Sequence, residues 1–166
     1  MIKTSGSPIM AGAVIKSPVG PLTLLASDDG LAGVYYEGKY EGKVPDAQNE
    51  FTEWATKELG EYFAKERKEF TVPLAPEGTV FQLEVWQELR QIVFGQTASY
   101  KEIAQRLGRP KSVRAVGMAN GCNPISIIVP CHRVIGSAGD LVGYGGGLGR
   151  KHMLLTLEGA VDEELW

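Results

Sequence analysis

Over the first third of the chain, apolar residues come in short bursts separated by turn-forming residues. Ala13–Lys16 and Leu22–Ala26 read as strands joined by Ser17-Pro-Val-Gly-Pro21, and Ser27-Asp-Asp-Gly30 leads to a third strand, Leu31–Tyr36. Strands this close in sequence predict an antiparallel meander. Residues 1–9 read as a loose tail and Glu37–Pro45 as a loop. From Glu50 the period lengthens. Phe51, Trp54, Ala55, Leu59, Tyr62 and Phe63 form one stripe of an amphipathic helix, with Glu and Lys on its solvated face. A short strand is expected at Phe70–Leu74, and Pro73–Gly78 has linker composition. The pattern therefore predicts an N-terminal α/β domain with linker over residues 1–78 and a second domain over residues 79–166.

The second half opens with Thr79 and Gln82 in capping-box spacing. Phe81, Val85, Leu89, Ile92 and Val93 make the buried stripe of a helix ending near Gly95. Ser99 and Glu102 repeat the cap. Ile103, Ala104 and Leu107 then face inward until Gly108-Arg-Pro110, and a third helix runs from about Ser112 to Gly121. This is the outline of a helix-turn-helix. The same spacing occurs in unrelated helical proteins, so nucleic-acid binding and plain helix packing both stay open. Ile125–Val129 reads as a nearly apolar strand leading into Pro130-Cys-His-Arg133.

Composition adds bounds. Among 166 residues, 17 Lys and Arg face 20 Asp and Glu, for a net charge of −3, with 43% hydrophobic and 22% charged residues. These are globular values, and they exclude wholesale disorder. The net charge also excludes a uniformly basic coat, but its distribution is uneven. Residues 90–151 hold nine basic side chains (Arg90, Lys101, Arg106, Arg109, Lys111, Arg114, Arg133, Arg150 and Lys151) against Glu102 and Asp140. That segment coincides with the helix-turn-helix and predicts a modest, salt-sensitive affinity for nucleic acid. No apolar stretch approaches the ~20 residues of a membrane span. The N-terminus lacks a leader pattern, and only Cys122 and Cys131 occur, so a soluble protein of a reducing compartment is expected.

Cys131 is the candidate for chemistry. A thiol with an ordinary pKa of about 8.5 needs a neighbouring cation or base to become a nucleophile, and His132 and Arg133 are adjacent. The alternative is a small buried hydrophobe at a strand end. Neighbours on an extended segment point to opposite faces, so Cys131 and His132 cooperate only if the chain turns, which Pro130 favours. Cys122, beside Asn123-Pro124 with no base nearby, reads as structural. Seven of the fourteen residues from Gly136 to Gly149 are glycine, yet neither phosphate-loop nor dinucleotide spacing is present. The segment reads as a mobile or tightly turned loop whose backbone something can approach. Residues 1–121 contain no Cys or His, and Cys131-His132 is not a zinc spacing, so no metal and no cofactor is expected.

Asn123-Pro-Ile-Ser-Ile-Ile-Val-Pro-Cys-His-Arg-Val-Ile135 resembles the active-site segment of the O6-alkylguanine-DNA alkyltransferases, the methylated-DNA–protein-cysteine methyltransferase family. The likeness runs from the helix opened by Thr79 to Gly159, through Ser99-Tyr100, Arg114-Ala-Val-Gly117, Gly143-Tyr144, Gly146-Gly147 and Leu157-Glu-Gly159. The first 75 residues resemble the family's N-terminal domain more weakly, through the meander and Leu59-Gly-Glu-Tyr-Phe63. The resemblance implies an α+β fold: a ribonuclease H-like N-terminal domain, then a mostly helical winged helix-turn-helix domain. It implies direct DNA repair, in which Cys131 irreversibly takes the alkyl group from O6-alkylguanine after base flipping, with O4-alkylthymine as a further candidate substrate.

In that scheme His132 accepts the thiol proton through a water, Glu158 orients the imidazole, Asn123 links the recognition helix to the cysteine turn, and Tyr100 donates to guanine N3. DNA contacts are implied for Ser99, Tyr100, Lys111, Arg114, Ala115 and Gly117, with Arg114 filling the gap left by the flipped base. Carbonyls at Cys131 and Val134 and backbone N–H groups of Tyr144, Gly145 and Gly146 would read the purine. Gly145 departs from relatives that carry a hydroxyl side chain there. The implied partner is double-stranded DNA containing O6-alkylguanine. A cytoplasmic monomer is expected, nucleoid-associated in a prokaryote and nuclear in a eukaryote. A Cys-His-Glu hydrolase and a module that binds damaged bases without reacting are the competing functions.

Overall fold

The computed structural model describes residues 6–139 and 144–161. The chain divides into two compact units: one holds the residues up to Gly78 together with Pro124–Ser126, the other Thr79–Asn123 and the chain from Ile127 onward. The return of Pro124–Ser126 to the first unit has no counterpart in the sequence pattern.

In the first unit β1 (Ala11–Ile15), β2 (Leu22–Ala26) and β3 (Leu31–Tyr36) form an antiparallel sheet in the order β1-β2-β3, with Val14 opposite Thr23 and Leu24 opposite Val34. Gly30, in the β2–β3 turn, is required by proximity, since a Cβ there would lie 2.8 Å from the carbonyl oxygen of Pro73. Helix α1 (Glu50–Phe63) is capped by Asn49, whose Oδ1 accepts from the N–H groups of Phe51 and Thr52. Ala55, Leu59 and Tyr62 of α1 join Leu22, Leu24 and Leu31 in the core.

Two expectations need correction here. Trp54 is 39% exposed, whereas Glu58, placed on the solvated face, is 1% exposed. Glu58 accepts hydrogen bonds from the Thr71 N–H and hydroxyl and from the Val72 N–H, and pairs with Arg67 at 2.9 Å. Those bonds also explain why Phe70–Leu74 is not a strand. The carboxylate takes the N–H groups a ladder would have used, and only Leu74 bridges to Leu31.

In the second unit α2 (Val80–Leu89) begins with the Thr79–Gln82 capping box. It stops earlier than the pattern suggests: Ile92 is buried beyond the helix and Val93 is 54% exposed. The carbonyl of Ile92, which a longer helix would have used, accepts instead from Arg133 Nη1 at 2.6 Å. β4 (Ala98–Ser99) leads into α3 (Tyr100–Arg106), and a turn through Gly108, at φ +71°, leads into α4 (Val113–Gly121). Buried Trp86 donates Nε1–H to the carbonyl of Ala119 at 2.8 Å and fixes α2 to α4. Burying a side chain of this class is worth roughly 1.5–3 kcal/mol, and this one also finds a polar partner.

The expected strand Ile125–Val129 is a turn. Ile125 makes one bridge to Val34, and Ile127 then adopts φ +72°. A β-branched residue is strained there. Complete burial of Ile127, with Ile128 and Val129 also buried, holds it in place. After the cysteine segment, β5 (Val134–Ile135) pairs in parallel with β4, and α5 (Leu148–Leu157) closes the described chain with Glu158 as its C-cap.

Candidate active site

Pro130 has φ −81° and ψ 62°, and the Cys131 N–H donates to the Val129 carbonyl at 2.8 Å, an inverse γ-turn. A single 3-10 turn, Cys131–Arg133, follows. At three residues per turn, successive side chains leave the backbone about 120° apart rather than alternating. The ladder Ala98–Val134 and Ser99–Ile135 then ties the end of this turn to the start of α3, where Tyr100 stands.

His132 is fully buried, with Nε2 2.7 Å from Glu158 Oε2. Arg133 grips the same carboxylate through Nε to Oε1 at 2.8 Å and Nη2 to Oε2 at 3.0 Å. Burial pushes the Glu158 carboxyl up, but His132 and Arg133 outweigh it and hold the group at about 2. Glu158 is therefore an acceptor only, and His132 Nε2 must carry the hydrogen. The lone pair is left on Nδ1, which is buried with no hydrogen-bond partner among the described residues. Burial draws the imidazole below its ordinary pKa, against the opposing pull of Glu158, so it is neutral near pH 7.

Cys131 is 5% exposed, and burial pushes its thiol up despite hydrogen bonds from Asn123 and Tyr144 and the charge of Lys151. Its Sγ lies 3.8 Å from the Tyr144 hydroxyl. The resting group is a thiol and needs a base to react. The cation that favours the thiolate is Lys151, not Arg133 as the adjacency in sequence suggests, because the Arg133 guanidinium is spent on Glu158 and Ile92. Lys151 is fully buried and donates to the Val134 carbonyl at 2.6 Å.

The other expected residues divide by exposure. Tyr100 is half-buried, and a Cβ on Gly117 would lie 3.8 Å from its ring. Burial and the nearby Cys131 raise the phenol, which keeps it a proton donor. Ser99 is buried and caps α3 by accepting from the Glu102 N–H at 3.1 Å. Asn123 Nδ2 donates to the Val129 carbonyl at 2.9 Å and holds the γ-turn. Lys111, Arg114 and Ala115 are exposed at and along the start of α4, and Gly117 is half-buried on the same helix. Tyr144 is half-buried, Gly145 exposed and Gly146 buried, and a Cβ on Gly145 would stand 3.9 Å from the Gly121 carbonyl. Gly143 lies outside the described residues. Cys122, read as structural, is a free and exposed thiol. Among the described residues no group of three or more His, Cys, Asp or Glu could hold a metal ion.

Residues 80–160 match the model of the 6-O-methylguanine DNA methyltransferase DNA binding domain, and residues 10–76 match that family's ribonuclease-like domain. The chain belongs to the 6-O-methylguanine DNA methyltransferase family. A methylated-DNA–protein-cysteine methyltransferase of Methanosarcina acetivorans is 51% identical, over 89% of this chain and 97% of that protein. One of Mycobacterium tuberculosis is 50% identical, over 87% and 89%. The crystal structure of the M. tuberculosis O6-methylguanine methyltransferase matches with a TM-score of 0.82 at 46% identity, covering 93% of this chain and 96% of that one. The M. tuberculosis protein in complex with DNA matches with a TM-score of 0.82 at 47% identity, covering 91% and 94%.

Sequence reasoning missed two buried polar residues beside Cys131. Lys151 shares one buried stripe of α5 with Leu154, Leu155 and Glu158, and Asn120 shares one of α4 with Val116 and Ala119. A polar residue on an apolar stripe is the signal that finds both.

Proposed function

We propose that this chain repairs DNA directly, by a single irreversible transfer of an alkyl group from O6-alkylguanine to Cys131. The observation that carries the reading is the imidazole whose Nε2 is fixed on ionised Glu158 while its buried Nδ1, beside Cys131 in the chain, has no partner among the described residues. His132 Nδ1 takes the Cys131 proton through one water. The thiolate then attacks the alkyl carbon, forming the C–S bond as the C–O6 bond breaks. The electron pair stays on guanine, which takes up a proton at N3 from Tyr100. The product thioether has no acidic proton and no route back by simple hydrolysis, so each molecule reacts once.

Double-stranded DNA is the partner, supported by the DNA binding domain model over residues 80–160 and by the related protein's structure with DNA. The alkyl-transfer domain is the chain from Thr79 onward. Arg114 on exposed α4 fills the space of the flipped base, with Ser99, Lys111, Ala115 and Gly117 along the backbone. The Cys131 and Val134 carbonyls and the N–H groups of Tyr144, Gly145 and Gly146 read the purine. The protein works as a monomer without metal or cofactor. No helix among the described residues is long and apolar enough to cross a membrane.

Intact-protein mass after incubation with a duplex containing O6-methylguanine tests this. One added methyl on Cys131, absent from Cys131→Ser, is expected. No mass gain overturns the reading, and turnover beyond one equivalent on an ester or amide would replace it with a Cys-His-Glu hydrolase.

A further inference from the structure

Asn120 is a buried amide at this site with half of its side chain unaccounted for. It is 5% exposed, its Nδ2 lies 3.5 Å from the Cys131 carbonyl oxygen, and its Oδ1 is buried with no partner among the described residues. That contact sets the orientation of the amide, since the flipped form would turn oxygen toward oxygen across the same gap. Its backbone is firmly placed: the preceding carbonyl, of Ala119, accepts from buried Trp86, and the following one, of Gly121, stands by Gly145. A buried acceptor left unpaired costs folding free energy, and such groups persist where a ligand satisfies them.

We propose that Asn120 is a specificity-determining residue of the base site, its Oδ1 accepting a hydrogen bond from the exocyclic 2-amino group of the flipped O6-alkylguanine. This rests on the alkyl-transfer reading above. The ring nitrogens of an O6-alkylated guanine (N1, N3 and N7) are acceptors and would repel Oδ1. The 2-amino group offers the donors, two N–H bonds, of which Oδ1 would take one; the Cys131 carbonyl beside Asn120 already accepts from the Val134 N–H and Asn120 Nδ2. The Val134 carbonyl is already loaded by the Lys151 ammonium at 2.6 Å, so a neutral side-chain acceptor adds what that carbonyl gives less readily. A site that hydrogen-bonds a substrate N–H discriminates against the analogue lacking it, because the buried acceptor is then stranded.

The test compares duplexes carrying O6-methylguanine and O6-methylhypoxanthine, which lacks the 2-amino group, with single-turnover rates for wild type, Asn120→Ala and Asn120→Leu. The ratio of the two rates is internal to folded protein, so partial unfolding cancels. Wild type is expected to prefer the guanine substrate, and both variants to lose about 10-fold of that preference through slower reaction with guanine alone. An unchanged ratio overturns the proposal, as does an equal loss on both substrates, which would make Asn120 a support for Cys131 only. Wild type that accepts methyl from neither duplex would overturn the alkyl-transfer reading itself.

Discussion

Glu58 in the first unit and Glu158 in the second are both buried carboxylates paired with an arginine, at 2.9 and 2.8 Å. The partners of Glu58 are two backbone N–H groups, a hydroxyl and Arg67, and each of them only donates to it. The cluster is closed in that no imidazole belongs to it: Thr71 Oγ1 also accepts from Trp54 Nε1–H and Arg67 also reaches Glu61 and the Glu69 carbonyl, and together they fasten α1 to the segment at Thr71–Val72. Around Glu158, Arg133 supplies a permanent charge, but the remaining partner is an imidazole with a second nitrogen. Fixing one end of that ring leaves the other end as a base. A buried carboxylate thus holds shape when its partners only donate to it, and is placed to support chemistry when one of them carries a second ring nitrogen.

Removing the closed cluster should have the larger effect on stability. Glu58→Ala leaves two N–H groups and a hydroxyl without their buried acceptor and Arg67 with only Glu61 and the Glu69 carbonyl, a loss of about 3 kcal/mol. That lies at the lower end for a buried pair, because Arg67 is itself 27% exposed. Urea denaturation should show the midpoint fall, while the alkyl-transfer rate per folded molecule stays at wild type. A slowed transfer step in folded Glu58→Ala would break the contrast between the two glutamates.

Glu158→Gln is the converse. The amide still occupies the space, but it cannot fix the tautomer of His132 or stabilise the imidazolium that forms. Transfer should slow about 100-fold, or about 2.7 kcal/mol in the barrier, with DNA affinity nearly unchanged. Losing the upward pull of Glu158 on His132 should also move the acid limb of the rate profile to lower pH. Stability carries its own signature. The Glu158 carboxyl is lowered from 4.5 to about 2 on folding, so its contribution is present above pH 4.5 and is lost as pH falls toward 2. The stability gap between wild type and variant should close across that window. A rate equal to wild type would make Glu158 as structural as Glu58.

The same contrast marks how far the sequence could be read. The meander and α1 to α4 were legible because periodicity and caps are local signals, and Cys131, His132 and Glu158 were singled out through the Pro-Cys-His-Arg core and the resemblance it carries. Glu58 was misplaced, since helical spacing assigns a face but cannot show that a chain segment eight to nine residues past the end of α1 returns to cover it. The Ile125–Val129 turn was misread because its residues have strand propensity, and only long-range burial sustains Ile127 at positive φ. Arg133 was credited with activating Cys131 on adjacency, whereas a 3-10 turn sends it to Glu158.

Lys151 offers the finest test of the open cluster. Its ammonium is buried, hydrogen-bonded to the Val134 carbonyl, and favours the Cys131 thiolate. Lys151→Met keeps the length and burial of the side chain but removes the charge. The thiol pKa, already raised by burial, should rise further, leaving less thiolate at a given pH below it. Iodoacetamide labelling of Cys131 across pH reads this directly, with Cys122→Ser as background so that the exposed thiol does not contribute. His132 would move the other way from a loss of base strength, because Lys151 also depresses the imidazole and its removal lets the pKa rise. The rate profile should therefore lose its thiolate-dependent part while its acid limb shifts upward. If the labelling profile is unmoved, Lys151 acts only through its bond to Val134, and the charge that tunes Cys131 lies in the hydrogen bonds of Asn123 and Tyr144.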